Sequence, residues 1–301
     1  MQSDIYLRRW LLAAGYDKHE VRRMLRDGSL HVIRRGAYVQ YAPDDPAAQH
    51  ALLIRAALAE LSSDVVVSHV SAAVLHGMRV WGIPLDRVVL TRARRRSGAR
   101  QGHRVHVHCA PLESDEIVLV EGVAVTSVPR TVVDVARANG FEQAVVVADA
   151  ALEAGLVDEA QLAAALARWP RWPGLPAARR AIAFAARGSG SVGESRSRVA
   201  IATAGLPAPF LQWEVRRSDG GFVGRVDFGW PRLRTVGEFD GRVKYGRLLR
   251  PGQDPAEAVY EEKLREDALR AEDLAVVRWT WPDLSRFAPV AARLRDRFRP
   301  T

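Results

Sequence analysis

The chain has 301 residues, 48% hydrophobic and 26% charged, which is enough to bury cores in two or three domains. One cysteine excludes a disulfide framework and a cysteine-rich zinc site; the start, MQSDIYLRRW, has no apolar leader core and no run approaches a membrane span, which predicts a cytoplasmic protein with no membrane partner. A net charge of +9 favours polyanionic partners, and residues 176–301 hold most of the excess, with 23 basic against 16 acidic groups.

Residues 1–45 read as a small DNA-binding module. Ser3 is placed to cap a helix through Ala14, with Leu7, Trp10, Leu11 and Ala14 at helical spacing. Asp17 and Glu20 form a capping-box start for a second helix that Gly28 ends. Strands at Leu30–Ile33 and Ala37–Val39 flank Arg34-Arg35-Gly36, which makes a helix–turn–helix with a two-stranded basic wing, a winged helix. Arg22, Arg23 and Arg26 then face a major groove, and Arg34 and Arg35 a phosphate backbone. The alternative is a helical cap with solvated arginines.

Residues 46–167 mix elements: helices at Ala47–Leu61, Ser68–Leu75, Pro129–Arg137, Phe141–Ala154 and Glu159–Ala167, and strands at Val65–Val67, Arg87–Thr91, Arg104–His108 and Gly122–Thr126. The basic loop Arg92–Arg100 is either a phosphate grip or a solvated hairpin tip. His103, His106, His108 and Cys109 lack a second cluster at ligand spacing, so zinc is not expected there. His76, before Gly77, is expected at a helix end, bonded to backbone carbonyls.

The segments S-x-x-S-A-A-x-L-H-G (Ser68 to Gly77), V-x-L-T (Val88–Thr91) and G-V-x-V-T-S-x-P-R-T-V-V-D-V-A (Gly122 to Ala136), with R-R-G-x-Y at Arg34–Tyr38, resemble the AbiEi-type antitoxin family of type IV toxin–antitoxin systems over residues 1–165. The resemblance implies promoter binding with autoregulation, and a nucleotidyltransferase-like toxin as partner. It names no catalytic residue.

After a Pro/Trp-rich linker at 168–190, residues 191–301 order as a helix (Val192–Ala204), three strands (Leu211–Arg217, Phe222–Phe228, Leu233–Phe239), a helix from Pro255 to Ala271 and a strand (Leu274–Thr280). Strand alternation sends Val226, Phe228 and Trp230 to one apolar face, with Trp279 and Trp281 expected in the core. It puts Glu238 and Asp240 together, near Asp227, so acids cluster on a buried sheet, a costly arrangement unless a cation pairs with them. Lysine is scarce, three of 44 basic residues, so Lys244 beside these acids stands out from the background.

Helix–Glu, V-D-F, E-x-D-G and E-K-x-R-E (Glu262–Glu266), within the order αβββαβ, resemble PD-(D/E)xK restriction-endonuclease-like nucleases, nearest the very-short-patch-repair branch. The fold class expected is therefore multidomain α/β mixed: a winged helix (1–45), an α+β middle domain (46–167) and a restriction-endonuclease-like core (191–301). Phosphodiester hydrolysis needs a metal to offset transition-state charge. Mg²⁺ (or Mn²⁺) prefers oxygen ligands, and Asp227, Glu238 and Glu194 are the expected set. The sequence departs from the pattern at Asp240, which stands where the family has lysine. Either Lys244 supplies that charge or Asp240 is itself a ligand. The alternative to catalysis is an inert fold in which these acids pair with Arg196, Arg225, Arg242 and Arg265.

Overall fold

A computed structural model describes residues 5–61, 64–93, 100–101, 104–241 and 264–298. The Ser3 cap, Arg94–Ala99 of the basic loop, His103, Arg242, Lys244, the first part of the helix expected from Pro255, and Glu262-Lys263 lie outside the described residues. The chain divides into two compact units, residues 1–147 with 156–182 and residues 148–155 with 183–301.

The first unit opens with β1 (Tyr6–Leu7), α1 (Arg8–Ala13), α2 (Lys18–Arg26), β2 (His31–Arg34) and β3 (Ala37–Val39). The first helix starts at Arg8, later than its sequence predicts, because Tyr6 and Leu7 pair with Tyr38 and Ala37 in a sheet of order β1-β3-β2. The Asp17 box forms as expected: Asp17 Oδ1 accepts the Glu20 N–H at 2.8 Å, and the Glu20 carboxylate accepts that of Asp17 at 2.8 Å. Leu11, Val21, Leu30 and Tyr38 close a small core beneath these elements.

There follow α3 (Pro46–Leu58), β4 (Val66–Val67), α4 (His69–Leu75), β5 (Val88–Ala93), β6 (Arg100–Gln101), β7 (Val105–Ala110), β8 (Ile117–Val120), β9 (Val123–Thr126), α5 (Val128–Ala138), α6 (Phe141–Glu153), α7 (Glu159–Arg168) and α8 (Leu175–Phe184). The strands form one mixed sheet of order β6-β7-β5-β4-β9-β8, with β5/β7 and β4/β9 parallel. The β8 strand has no counterpart in the sequence reading. It forms because Glu121 and Gly122, at φ 48° and 80°, make a two-residue turn that folds Ile117–Val120 back on β9.

The polar residues of the Ser68–Gly77 and Thr126–Asp134 motifs bind this unit together. His50 Nδ1 donates to Leu85 O at 2.8 Å, so its Nε2 accepts from the Ser71 hydroxyl, which itself accepts the Val89 N–H. His76 meets Thr126 O at 2.8 Å, as a helix-end histidine should. The Thr131 hydroxyl donates to the same carbonyl. Arg130 is buried between Asp134 at 2.8 Å and Glu116 at 3.0 Å.

In the second unit α9 (Val192–Thr203) precedes β10 (Phe210–Arg216), β11 (Phe222–Trp230), β12 (Thr235–Asp240), α10 (264–271), β13 (Ala275–Thr280), α11 (Trp281–Ser285) and α12 (Ala288–Arg297). The sheet order is β10-β11-β12-β13, with β12/β13 parallel and the other pairs antiparallel. Ile201, Phe228, Trp230, Trp279, Val290 and Leu294 share one apolar cluster. Val226 belongs instead to another, with Val215, Val236, Leu269 and Leu274, so β11 does not keep a single apolar face. Trp281 starts α11 rather than extending the last strand, and its ring meets that of Phe239 edge-on at 5.1 Å. Arg198 and Asp149, both buried, pair at 2.7 Å.

Gly237 lies under the Trp279 ring, where a Cβ would come within 2.5 Å of Cη2. Gly237→Ala is expected to lower stability by about 1–3 kcal/mol through overpacking, measured by urea unfolding. An unchanged midpoint would show that this packing is not tight.

Candidate active site

The acids of the second unit converge where α9, β10, β11 and β12 meet. Glu194 stands in the first turn of α9, whose N-cap is Ser191. Its carboxylate accepts the Ser191 hydroxyl at 2.8 Å and the Gly190 N–H at 2.9 Å, which fixes its direction at the positive end of the helix dipole. Gln212 Nε2 donates to Glu194 at 3.0 Å and reaches toward Asp227 Oδ1 at 3.4 Å. One amide therefore spans both carboxylates.

Gln212 adopts φ 49° in the middle of β10, the left-handed region that a non-glycine residue enters at a cost of order 1–3 kcal/mol. It is missing from the ladder that pairs its neighbours, Leu211 with Phe228 and Trp213 with Val226. The strained backbone aims the amide at the acids. The composition of the strand, FLQWEVR, did not announce this residue; the one signal was a Gln across from the expected acid.

Asp227 sits where β11 and β12 part. Backbone pairing between the two strands covers Phe228 to Trp230, and Asp227 Oδ2 accepts the Phe239 N–H at 2.9 Å. A side chain thus takes the place of a ladder carbonyl. Burial, with the nearby like charges of Glu194 and Glu238, raises the Asp227 pKa to about 6, against the hydrogen bonds from Phe239 and Gln212 that favour the anion.

Glu238, 7% exposed, faces a different partner set. Arg278, its register neighbour on β13, bonds Oε2 at 2.9 Å. Arg265 Nη2 lies 2.8 Å from Oε1, near enough for an ion pair but not aligned to hydrogen-bond it. Arg278 also pairs with Glu266 at 2.9 Å. The expected ligand trio is therefore split: Glu194 and Asp227 share a hydrogen-bond donor, and Glu238 is held by arginines. Asp240, half-buried, ends β12 opposite Thr280. Among the described residues no group of three His, Cys, Asp or Glu side chains stands ready to hold a metal.

The Glu194–Asp227 pair fits one oxygen-seeking cation, because Mg²⁺ commonly takes one or two carboxylates and completes its shell with water and phosphate. Gln212 fits too. Its amide O and N are distinguished only by their hydrogen bonds, and turning the amide over presents Oε1 as a third oxygen.

In the N-terminal segment Arg22, Arg23, Arg26 and Arg35 are exposed. Arg34 is not available for DNA: its guanidinium pairs with Glu60 at 2.7 Å and donates to Ala56 O at 2.8 Å, which ties the wing to α3. The DNA-facing set is reduced by one because a salt bridge and a helix-end carbonyl claim that side chain.

An acid whose pKa rises on folding destabilises the native state once ionised. The cost at Asp227 is absent below about pH 4 and grows as pH rises through 6. Asp227→Asn is therefore expected to be more stable than the wild type at pH 8, by about 1 kcal/mol after allowing for solvent screening, with the gap closing toward pH 4. Denaturant unfolding across that range measures it, and a gap that widens on acidification would reverse the assignment.

No family model matches the chain. Two curated Mycobacterium tuberculosis proteins, "Uncharacterized protein MT2308" (strain CDC 1551 / Oshkosh) and "Uncharacterized protein Rv2248" (strain ATCC 25618 / H37Rv), are each 34% identical to it over 121 residues. That alignment takes in 40% of this chain and 44% of either relative, so the chain spans less than half the length of the relatives it matches. Among solved structures, that of the RV2827C protein from Mycobacterium tuberculosis aligns with 71% of this chain and 83% of its own at 14% identity and a TM-score of 0.39.

Proposed function

We propose that the second unit hydrolyses phosphodiester bonds in DNA with a divalent metal, Mg²⁺ or Mn²⁺, and that the N-terminal segment brings it to the duplex as a winged helix. The observation that carries this reading is the Glu194–Gln212–Asp227 bridge, in which a strained strand residue holds two carboxylates together. Its support is the helix, three strands, helix and parallel strand around it, the order that the resemblance to PD-(D/E)xK nucleases implies. Strain concentrated at a site argues for a role that packing alone would not select.

A bound divalent ion supplies charge neutralisation and a water of lowered pKa. The chain's own part is to hold it and to position the substrate. Glu194 and Asp227 would hold it, and its charge would offset the burial that raises the Asp227 pKa. Gln212, with its amide turned over, would add an oxygen to that set. Glu238 keeps Arg278 and Arg265 in place, two guanidiniums beside the acids that suit the oxygens of a phosphodiester. On the N-terminal side the α2 arginines Arg22, Arg23 and Arg26 enter the major groove, and Arg35 meets the backbone.

A second reading has two observations in its favour. Glu238 is already neutralised by two arginines, and an acid rather than lysine stands at Asp240. A non-enzymatic antitoxin and autorepressor, opposing a nucleotidyltransferase-like toxin, would keep such a fold as a binding module.

Plasmid cleavage with Mg²⁺ or Mn²⁺ separates the two. Asp227→Asn and Glu194→Gln are expected to slow nicking by about 10²–10³-fold, the several kcal/mol that metal charge stabilisation supplies. Metal-dependent product that survives in both variants, or none from the wild type, rejects hydrolysis. For the N-terminal segment, Arg22→Ala and Arg26→Ala should each lower the salt slope of DNA binding by about 1. Binding that is insensitive to salt rejects the DNA reading.

A further inference from the structure

The first unit holds a cleft of 260 Å³ lined by, among others, His69, His108, Cys109, Arg130, Asp134 and Arg137. None of these belongs to the acids of the second unit, and hydrolysis makes no use of them. His69 is the most constrained. It opens α4 at φ 53°, the left-handed region, and is 9% exposed. Backbone strain at a buried histidine on a cavity wall indicates that the position of its ring matters.

The hydrogen bonds behind it set which nitrogen carries its proton. The Thr91 hydroxyl donates to Ser68 Oγ at 2.8 Å, and Ser68 Oγ stands 3.0 Å from His69 Nδ1. Ser68 has one proton and one recipient left for it, so it donates to Nδ1. The neutral ring then carries its own proton on Nε2, which has no partner among the described residues and belongs to the edge of the ring away from Ser68. Burial, with Arg137 and Arg130 nearby, holds the His69 pKa down at about 3, so the ring is neutral at ordinary pH. His69 presents an N–H donor, not a charge.

The rest of the lining also offers donors. Asp134 is taken at both oxygens, by Arg130 Nε at 2.8 Å and Arg137 Nη1 at 3.1 Å, while Arg130 Nη1 also meets Glu116 at 3.0 Å, so the two guanidiniums are matched by two carboxylates and offer their remaining N–H groups. Both guanidiniums stack on the Trp172 ring, 4.3 and 4.2 Å from its centroid, which fixes them before any ligand arrives. A metal does not suit this wall. The His69 and His108 rings stack at 4.2 Å and 16°, so their in-plane lone pairs run side by side instead of converging.

We propose that this cleft binds a phosphate group through the His69 Nε2–H and the guanidiniums of Arg130 and Arg137. A ligand rich in acceptor oxygens meets the His69 N–H on the cleft wall, and guanidiniums held by stacking give it charged hydrogen-bond donors.

Cys109 gives the readout, because it is the only cysteine of the chain and lines the same cleft. The full-length protein is treated with a thiol reagent at pH 7 over a series of inorganic phosphate concentrations, with sodium chloride holding ionic strength constant. Phosphate is expected to slow Cys109 modification saturably. In His69→Phe, which keeps the ring and removes the donor, half-protection should need about tenfold or more phosphate, as expected for loss of one hydrogen bond to a charged group. Should His69→Phe fail to fold, ¹⁵N-histidine spectra of the unsubstituted protein carry the same test: His69 should show protonated Nε2 and shift with phosphate, while the exposed His19 and His31 stay fixed. No saturable protection, protection by acetate at the same concentration, or equal phosphate dependence in His69→Phe overturns the proposal.

Discussion

At the point where β11 and β12 separate, the sheet would leave the Phe239 N–H without a ladder partner, and the Asp227 carboxylate accepts it. A half-buried acid in that position cannot be solvated in the usual way, so its neighbours have to be arranged around it. Gln212 leaves ordinary strand geometry to reach it, and Glu194 is fixed at the head of α9 to share the same amide. The cluster raises the Asp227 pKa instead of relieving it, because Glu194 and Glu238 add like charge. A site kept short of positive charge in this way is most stable when something positive binds.

Two acids of this cluster show why adjacency on a strand does not settle a role. Among the described residues Asp227 hydrogen-bonds to no cation, whereas Glu238 has two beside it: parallel pairing of β12 with β13 brings Arg278, and Arg265 lies 2.8 Å away. The same carboxylate chemistry thus shares a neutral amide in one place and anchors guanidiniums in the other. Removing Glu238 would leave Arg278 and Arg265 less well held near the proposed phosphate path.

In the first unit the motif residues work chiefly as an internal hydrogen-bond frame. Ser71, His76, Thr126, Thr131 and Arg130 satisfy one another or nearby carbonyls, and few of their polar atoms face outward. A fully satisfied network of this kind specifies one packing arrangement, since any slip leaves a buried donor open. Where Ser68 spends its proton on His69, the frame ends in an N–H without a partner among the described residues, and that end lies on a cavity.

Much of the architecture could be read locally. The Asp17 box, the Gly77 helix end, the Thr126–Arg137 helix entry and the second-unit element order depend on residues within a turn or two of each other, and periodicity records them. Pairing of Tyr6–Leu7 with β3, the β8 hairpin and the division of Val226 from Phe228 depend on strands distant in sequence, so local pattern missed them. By itself the sequence determined which residue types would meet: acids on inner strands, a basic N-terminal helix, histidines on β7. Tertiary structure alone decided their partners, giving Glu238 and Arg34 to salt bridges and Glu194 and Asp227 to Gln212. Partnership depends on side-chain distances of about 3 Å set by strand register and backbone strain, and neither quantity is encoded in spacing along the chain.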